Sequence, residues 1–293
     1  MLAYIVQCKL NKLNEKFNIR KQCSGGTGMK TKNLLMNISA SDLRVLLTVS
    51  SCTTFFSYAE DNQKDANAPQ YTIGVGVASV PEFSGASENE TRFLPLISIR
   101  YGRLSIGGVN GIAYELLNNN DLTVNATAGY FRGRDESDAE YLNGLGSIES
   151  SVTAGVAINK SIGPWRVGLK INRDFSEDVG GVTAGLSGSY SHKFSQQILV
   201  TLSSSVTWMD SNYASGVYGI TEDQEMASVL KAYAASSGIE SIGLSLSGLY
   251  FIDQHWTLTA VVSQSQLQSE AKLSPITRKS NPHFIMTGIS YRF

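Results

Sequence analysis

Apolar and small polar residues alternate along most of the chain from residue 71 to residue 293. The last stretch, PHFIMTGISYRF from Pro282 to Phe293, shows the pattern well. At a period of two, Ile285, Thr287, Ile289, Tyr291 and Phe293 share one face, and Met286, Gly288, Ser290 and Arg292 share the other. The same reading predicts twelve strands: 71–80, 92–100, 103–108, 111–117, 121–132, 148–159, 165–172, 181–193, 197–208, 239–252, 255–265 and 282–293. In the segment at 148–159, Val152, Ala154, Val156 and Ile158 oppose Ser151, Thr153, Gly155 and Ala157. In the tenth, Ile242, Leu244, Leu246 and Tyr250 oppose Ser241, Gly243, Ser245 and Ser247.

The second face decides the class. A soluble sandwich buries its apolar face and covers the other with Lys, Glu and Arg, but here the other face is mostly Ser, Thr, Gly and Asn. Such a face suits a polar interior, and the apolar face, bounded by Tyr and Trp near strand ends, suits lipid. Connection lengths agree. Short links at 101–102, 118–120, 160–164, 194–196 and 253–254 alternate with long ones at 81–91, 133–147, 173–180, 209–238 and 266–281, as periplasmic turns and external loops do. Long loops stay on one side only if 103–117 is split at Val109 and Asn110 into two strands. The expected fold is therefore all-β, a transmembrane antiparallel up-and-down β-barrel of 12 strands over 71–293, preceded by a signal peptide.

Composition narrows the picture further. Charged residues make up 17% of the chain, against about 25% for soluble globular proteins. No run approaches the roughly 18 apolar residues a transmembrane helix needs. Residues 1–59 differ from the rest. Met29, Lys30 and Lys32 start a basic region, 43–56 supplies an apolar stretch broken by Arg44, and Ser57-Tyr58-Ala59 has the small-x-small form of a cleavage site. The expectation is an upstream extension at 1–28, an export signal at 29–59 cut after Ala59, and a polar stretch at 60–70. Cys8, Cys23 and Cys52 all precede the cut, so the exported part holds neither a disulfide nor a thiolate metal site. The leader carries 8 of the 24 Lys and Arg and 2 of the 25 acidic residues, which leaves 16 against 23 and a net charge of −7. That balance argues against nucleic acid as a partner.

Candidate chemistry is sparse. Acid gathers in the long loops, including Glu82, Glu88 and Glu90, then Asp135, Glu136, Asp138 and Glu140, and Glu222, Asp223 and Glu225. Two readings stand: a divalent-cation surface facing phosphorylated outer-leaflet lipid, or simple solvation of the loops. No loop has the ordered acidic spacing of a dedicated Ca²⁺ site. His192, His255 and His283 are too dispersed for a metal cluster; Ser191 and His192 face opposite ways on one strand and cannot pair as nucleophile and base, and His283 has Ser280 nearby without an evident third member. The expectation is a protein without catalytic residues, cofactor or metal. Strand parity places Glu115, Arg166 and Lys170 toward the lumen, where they either line an aqueous path and set its ion preference or neutralise one another in a plugged interior.

Several short motifs in order resemble the MltA-interacting protein (MipA)/OmpV family of outer-membrane proteins over about 71–293. They are Pro81-Glu82-Phe83-Ser84-Gly85, Leu94-Pro95-Leu96, Arg100-Tyr101-Gly102-Arg103, Tyr218-Gly219-Ile220-Thr221, Gly243-Leu244-Ser245-Leu246, His255-Trp256-Thr257-Leu258, Ser274-Pro275-Ile276 and the closing Gly288-Ile289-Ser290-Tyr291-Arg292-Phe293. The terminus also resembles the signal read by the barrel-assembly machinery, matched at Gly288, Tyr291 and Phe293 and departing from it at Met286. The resemblance implies a non-enzymatic barrel set in outer-membrane lipid and lipopolysaccharide. In that family it implies a scaffold that holds a murein lytic transglycosylase near a penicillin-binding protein. A narrow pore for small solutes and a surface adhesin working through 209–238 are the other readings.

Overall fold

The structure, a computed structural model, describes residues 68–107 and 111–293. The expected extension at 1–28, the export signal at 29–59 and most of the stretch at 60–70 lie outside the described residues, as does the turn placed at Val109 and Asn110. Twelve antiparallel strands close into a barrel in which each strand pairs with its sequence neighbours and the first pairs with the last. They are β1 (Gln70–Pro81), β2 (Asn89–Tyr101), β3 (Leu104–Gly107), β4 (Ile112–Asn119), β5 (Leu122–Phe131), β6 (Ser151–Ile162), β7 (Trp165–Asp174), β8 (Val182–Lys193), β9 (Ile198–Met209), β10 (Gly238–Phe251), β11 (Trp256–Leu267) and β12 (His283–Arg292). Every expected strand is present, with ends within three residues of the sequence reading. Among the described residues no helix is long and apolar enough to cross a membrane.

Closure follows from where the backbone must sit. Hydrocarbon offers no partner for a free N–H or C=O, so a spanning sheet has to satisfy its ladder internally. β1 does so on both sides, pairing with β12 from Thr72↔Arg292 to Ser79↔Ile285 and with β2 from Gln70↔Arg100 to Pro81↔Asn89. The two faces then sort as the alternation requires. Ile242, Leu244 and Leu246 are 46%, 58% and 52% exposed, whereas their neighbours Ser245 and Ser247 are each 5% exposed. A water-soluble sandwich would show the reverse. Tight turns join the strands at the short-loop end. Gly102, for example, turns the chain between β2 and β3 at φ +52°, a conformation costly for residues with a Cβ. Aromatic residues ring the same end: Trp165 packs on Tyr190 at 4.7 Å and Trp256 on Tyr291 at 5.0 Å, as expected of an interfacial girdle.

Two features depart from the simple pattern. The lumen is not uniformly polar: Ala78, Val80, Leu94, Leu96, Val261, Phe284 and Met286 form a buried apolar cluster on the inner faces of β1, β2, β11 and β12. These strands carry apolar side chains on both faces, with Phe93 81% exposed beside the buried Leu94.

The wall is also incomplete. β3 pairs with β2 only from Ser98 to Tyr101, and the Gly107 N–H donates to the Gly111 carbonyl at 2.6 Å, which ends the β3–β4 hairpin early. Among the described residues, 89–97 therefore pair only with β1, and 129–131 of β5 pair only with β6. Pro95 lies within this half-paired stretch of β2. Proline lacks the N–H that a central strand needs, and it is confined to edges and bulges for that reason.

Candidate functional site

The long loops at one end fold over the barrel mouth as a packed cap. They comprise 82–88, 132–150, 175–181, 210–237 and 268–282, and they carry three short α-helices, α1 (Ser211–Tyr218), α2 (Glu222–Ala227) and α3 (Ser269–Leu273), besides two single 3-10 turns at Glu136–Asp138 and Glu140–Leu142. α1 starts where Asp210 accepts from the Tyr213 N–H at 2.8 Å, and α2 where Thr221 and Gln224 cap each other. Two apolar clusters fill the space between the loops. One gathers Val179, Met209, Ala214, Val217, Tyr218 and Ala271; the other gathers Phe83, Leu142, Leu145, Ile220, Leu230 and Ile276.

Hydrogen bonds tie the loops into one body. The Tyr218 hydroxyl lies 2.7 Å from Ser84 Oγ and donates to Glu240 Oε1 at 2.8 Å, while the Tyr218 carbonyl accepts from Ser274 Oγ at 2.6 Å. Gln224 donates to the Leu145 carbonyl, Glu149 N–H donates to Asp178, and Arg278 N–H donates to the Gly85 carbonyl. Burial pushes the Tyr213 and Tyr218 hydroxyls well above the usual tyrosine range, with the Glu240 charge adding to the effect. Both therefore stay protonated and able to donate at physiological pH.

Beneath the cap lies a cavity of about 270 Å³. Phe131, Ile148, Val217, Leu267 and Phe284 give it apolar walls, and Arg132, Arg134, Glu240 and His283 give it charge and polarity. Arg134 is only 8% exposed. It donates from Nη1 to the Val217 carbonyl at 3.1 Å, and its Nε has no partner. Burial pulls its pKa below the ordinary arginine value, yet a guanidinium remains charged at neutral pH.

The opposite, short-turn end differs in charge. Arg100, Arg103, Lys160, Lys193 and Arg292 are exposed there, against Asp121, which pairs with Lys160 at 3.4 Å, and Asp253, which accepts the His255 and Trp256 N–H groups.

The residues singled out from sequence take the following places. Arg166 and Lys170 are half-buried and share strand parity with the buried Gly168 and Asp174 of β7. Glu115 is half-buried on β4, accepts from Asn118 Nδ2 at 3.0 Å, and sits at a bulge that shifts the register before Leu117. The strand order sets Glu115 three strands round the wall from Arg166 and Lys170, so the three do not form one cluster. At the C-terminus the Phe293 N–H donates to the Tyr71 carbonyl at 3.0 Å, and its ring packs on Tyr291 at 4.9 Å, whereas Gly288 pairs with Gly76. Met286, the position that departs from the assembly signal, belongs to the lumen cluster. Among the described residues no group of three or more His, Cys, Asp or Glu could hold a metal ion.

Sequence reasoning missed the residues that build the cavity. Arg134 stood among Asp135, Glu136, Asp138 and Glu140 as one basic residue in an acidic loop, and that contrast was the available signal.

The family described as MltA-interacting protein MipA matches residues 73–293. The YiaT protein of Escherichia coli (strain K12) is 26% identical over 231 residues, covering 78% of this chain and 93% of YiaT. Outer membrane protein Omp26La of Vibrio anguillarum is 23% identical, covering 75% of this chain and 87% of that protein. The MltA-interacting protein of Escherichia coli (strain K12) is 22% identical, covering 76% and 90%. Among solved structures, the NanC porin aligns at a TM-score of 0.41 with 10% identity, covering 75% of this chain and 98% of that one.

Proposed function

This chain belongs to the family of the MltA-interacting protein MipA, and from that premise we propose that it is an interaction protein of the outer membrane that docks a murein-remodelling enzyme at its periplasmic rim. The packed cap over the outer mouth is the observation that carries the reading. A pore for bulk solutes has no use for two apolar clusters across its entrance, whereas a barrel used as an anchor gains stability from them. The exposed basic side chains at the short-turn end supply the docking surface and define the partner chemistry as an acidic patch on a periplasmic enzyme. A related protein is named for its interaction with MltA. On this reading a lytic transglycosylase is the direct partner, and a penicillin-binding protein joins the assembly through it.

Delivery to that site uses an N-terminal export signal removed after Ala59, so the mature protein begins at Glu60 and its intact mass reports the cut. The test of function is capture from a detergent extract of the native envelope. The wild-type barrel retains a lytic transglycosylase, and the double variant Arg100→Glu, Arg103→Glu loses it while still migrating as a folded barrel. Failure of the wild type to retain it, or capture unaffected by charge reversal around the rim, contradicts the proposal. Single-channel recording separates the pore reading: the capped barrel leaves a planar bilayer silent.

A further inference from the structure

The cavity beneath the cap is built differently from the rest of the lumen. Elsewhere the inward face carries hydroxyls, glycine, the apolar cluster and the half-buried Arg166 and Lys170, but here the buried Arg134 and the Glu240 carboxylate line the same space between aromatic and aliphatic walls, with Glu82 and Arg132 also in its lining. Arg134 is more than nine-tenths buried, and among the described residues no carboxylate lies within ion-pair distance of it. Its one side-chain bond goes to the Val217 carbonyl, and Nε is left without an acceptor. An arginine taken out of water normally recovers the cost through a carboxylate or phosphate that uses its fork of donors, and a buried donor without a partner is expensive.

Glu240 is the second element. Its Oε1 accepts the Tyr218 hydroxyl, and no second side-chain donor reaches the carboxylate among the described residues. Arg134 and Glu240 are not bonded to each other. Each is bonded instead to α1, Arg134 to the Val217 carbonyl and Glu240 to the Tyr218 hydroxyl, so the two groups are anchored separately rather than paired. Phe131 and Phe284 supply flat apolar wall between the β5 and β12 sides. At about 270 Å³ the space is small, near the lower bound of ligand-sized cavities.

We infer that this cavity is a binding site for a small zwitterion with an apolar body, the chemistry of an apolar α-amino acid. The ligand carboxylate lies on the Arg134 guanidinium and supplies the acceptor that Nε lacks. The ligand ammonium lies on the Glu240 carboxylate, and the apolar body lies against Phe131 and Phe284. A simple anion satisfies Arg134 but brings its charge near Glu240, and a simple cation does the converse. Only a molecule carrying both charges meets both ends of the site.

The experiment is calorimetric titration of the purified barrel in lipid nanodiscs with phenylalanine, beside 3-phenylpropanoate, which lacks the ammonium, and phenethylamine, which lacks the carboxylate. Wild type binds phenylalanine at least tenfold more tightly than either control, and Arg134→Met and Glu240→Gln each weaken phenylalanine at least tenfold, the scale of one lost charge-assisted hydrogen bond. Because Glu240→Gln also touches the Tyr218 bond, Phe284→Trp serves as a second variant that fills the cavity while leaving both charged groups in place, and it abolishes binding. Heat-modifiable gel migration verifies that each variant is folded. The inference is overturned if wild type shows no binding of phenylalanine, if either control binds as well as phenylalanine, or if binding survives unchanged in the folded Arg134→Met and Phe284→Trp variants.

Discussion

Arg132 Nη2 reaches Glu90 Oε1 at 3.0 Å, joining the end of β5 to the start of β2 across the place where the β3–β4 hairpin is too short to stand between them. Glu90 is held from its own strand as well, by Arg92. The pair is partly shielded, with side-chain exposures of 20% and 30%, so it is stronger than a fully solvated bridge but remains a modest substitute for a missing ladder.

One expectation concerns β2 itself. Among the described residues, 89–97 have a strand partner on one side, whereas the corresponding stretch of β10 is paired on both sides with β9 and β11. Backbone amides of 89–97 should therefore exchange with solvent deuterium faster than those of 241–250, and Arg132→Ala should widen the gap. Equal protection of the two stretches in wild type would show that the wall is sealed by other means.

The cap depends on Tyr218. Replacing it with Phe keeps the ring packing and removes the hydroxyl shared by Ser84 and Glu240, which leaves buried polar groups unsatisfied at a cost of roughly 1–3 kcal/mol. The barrel should still assemble, because the strands do not use this group. The loop at 210–237 should become several-fold more sensitive to protease added to intact cells or to reconstituted vesicles, and Ser84→Ala should show the same change in weaker form.

The cap should also loosen in alkali. Tyr233 donates to Glu270 Oε2 at 2.6 Å, and burial, followed by that hydrogen bond, pushes its pKa up to about 12. A hydroxyl whose folded pKa lies above its unfolded value of about 10 contributes stability that is complete below pH 10 and is lost as pH rises through about 12. Buried Tyr213 and Tyr218 shift in the same direction. Protease sensitivity of the loop should stay flat to about pH 10 and climb above it, and Tyr233→Phe should remove part of that climb.

The C-terminal residue is expected to matter for assembly more than for stability. Phe293 is 70% exposed, so its ring stands outside the wall, against Tyr291, and its N–H completes the seam with Tyr71. Phe293→Ala keeps the backbone seam and removes the aromatic group proposed as part of the assembly signal with Gly288 and Tyr291. Steady-state barrel in the outer membrane should fall at least several-fold, while refolding from urea into detergent micelles should be nearly unchanged. An equal loss in both assays would assign Phe293 to stability instead.

Much of the wall was legible because lipid and lumen impose opposite chemistry on successive residues, and β10, with Ile242, Leu244 and Leu246 against Ser245 and Ser247, is the plainest case. Loop parity even required two strands, β3 and β4, where one could have been read, since only two strands there keep the long loops together. The apolar cluster inside the lumen was hidden for a physical reason. Phe93, Leu94, Pro95, Leu96 and Ile97 form an unbroken apolar run, and nothing in such a run tells lipid from a dry interior. The cap was equally obscure. Tyr218, Ser84 and Ser274 lie in three separate loops, and their meeting is a product of closure that no local pattern encodes. Arg134 reads locally as a solvated charge and becomes a buried one only once α1 folds over it.

The central claim is that the apolar face meets hydrocarbon while the small polar face lines the interior. Residues 60–293 contain no cysteine, so single cysteines at each position from Ile242 to Ser247 can carry a nitroxide label on the barrel reconstituted in vesicles. Collision with oxygen, which concentrates in the bilayer, should peak at 242, 244 and 246 and fall at 243, 245 and 247. A flat profile, or peaks at the serine positions, would contradict the account.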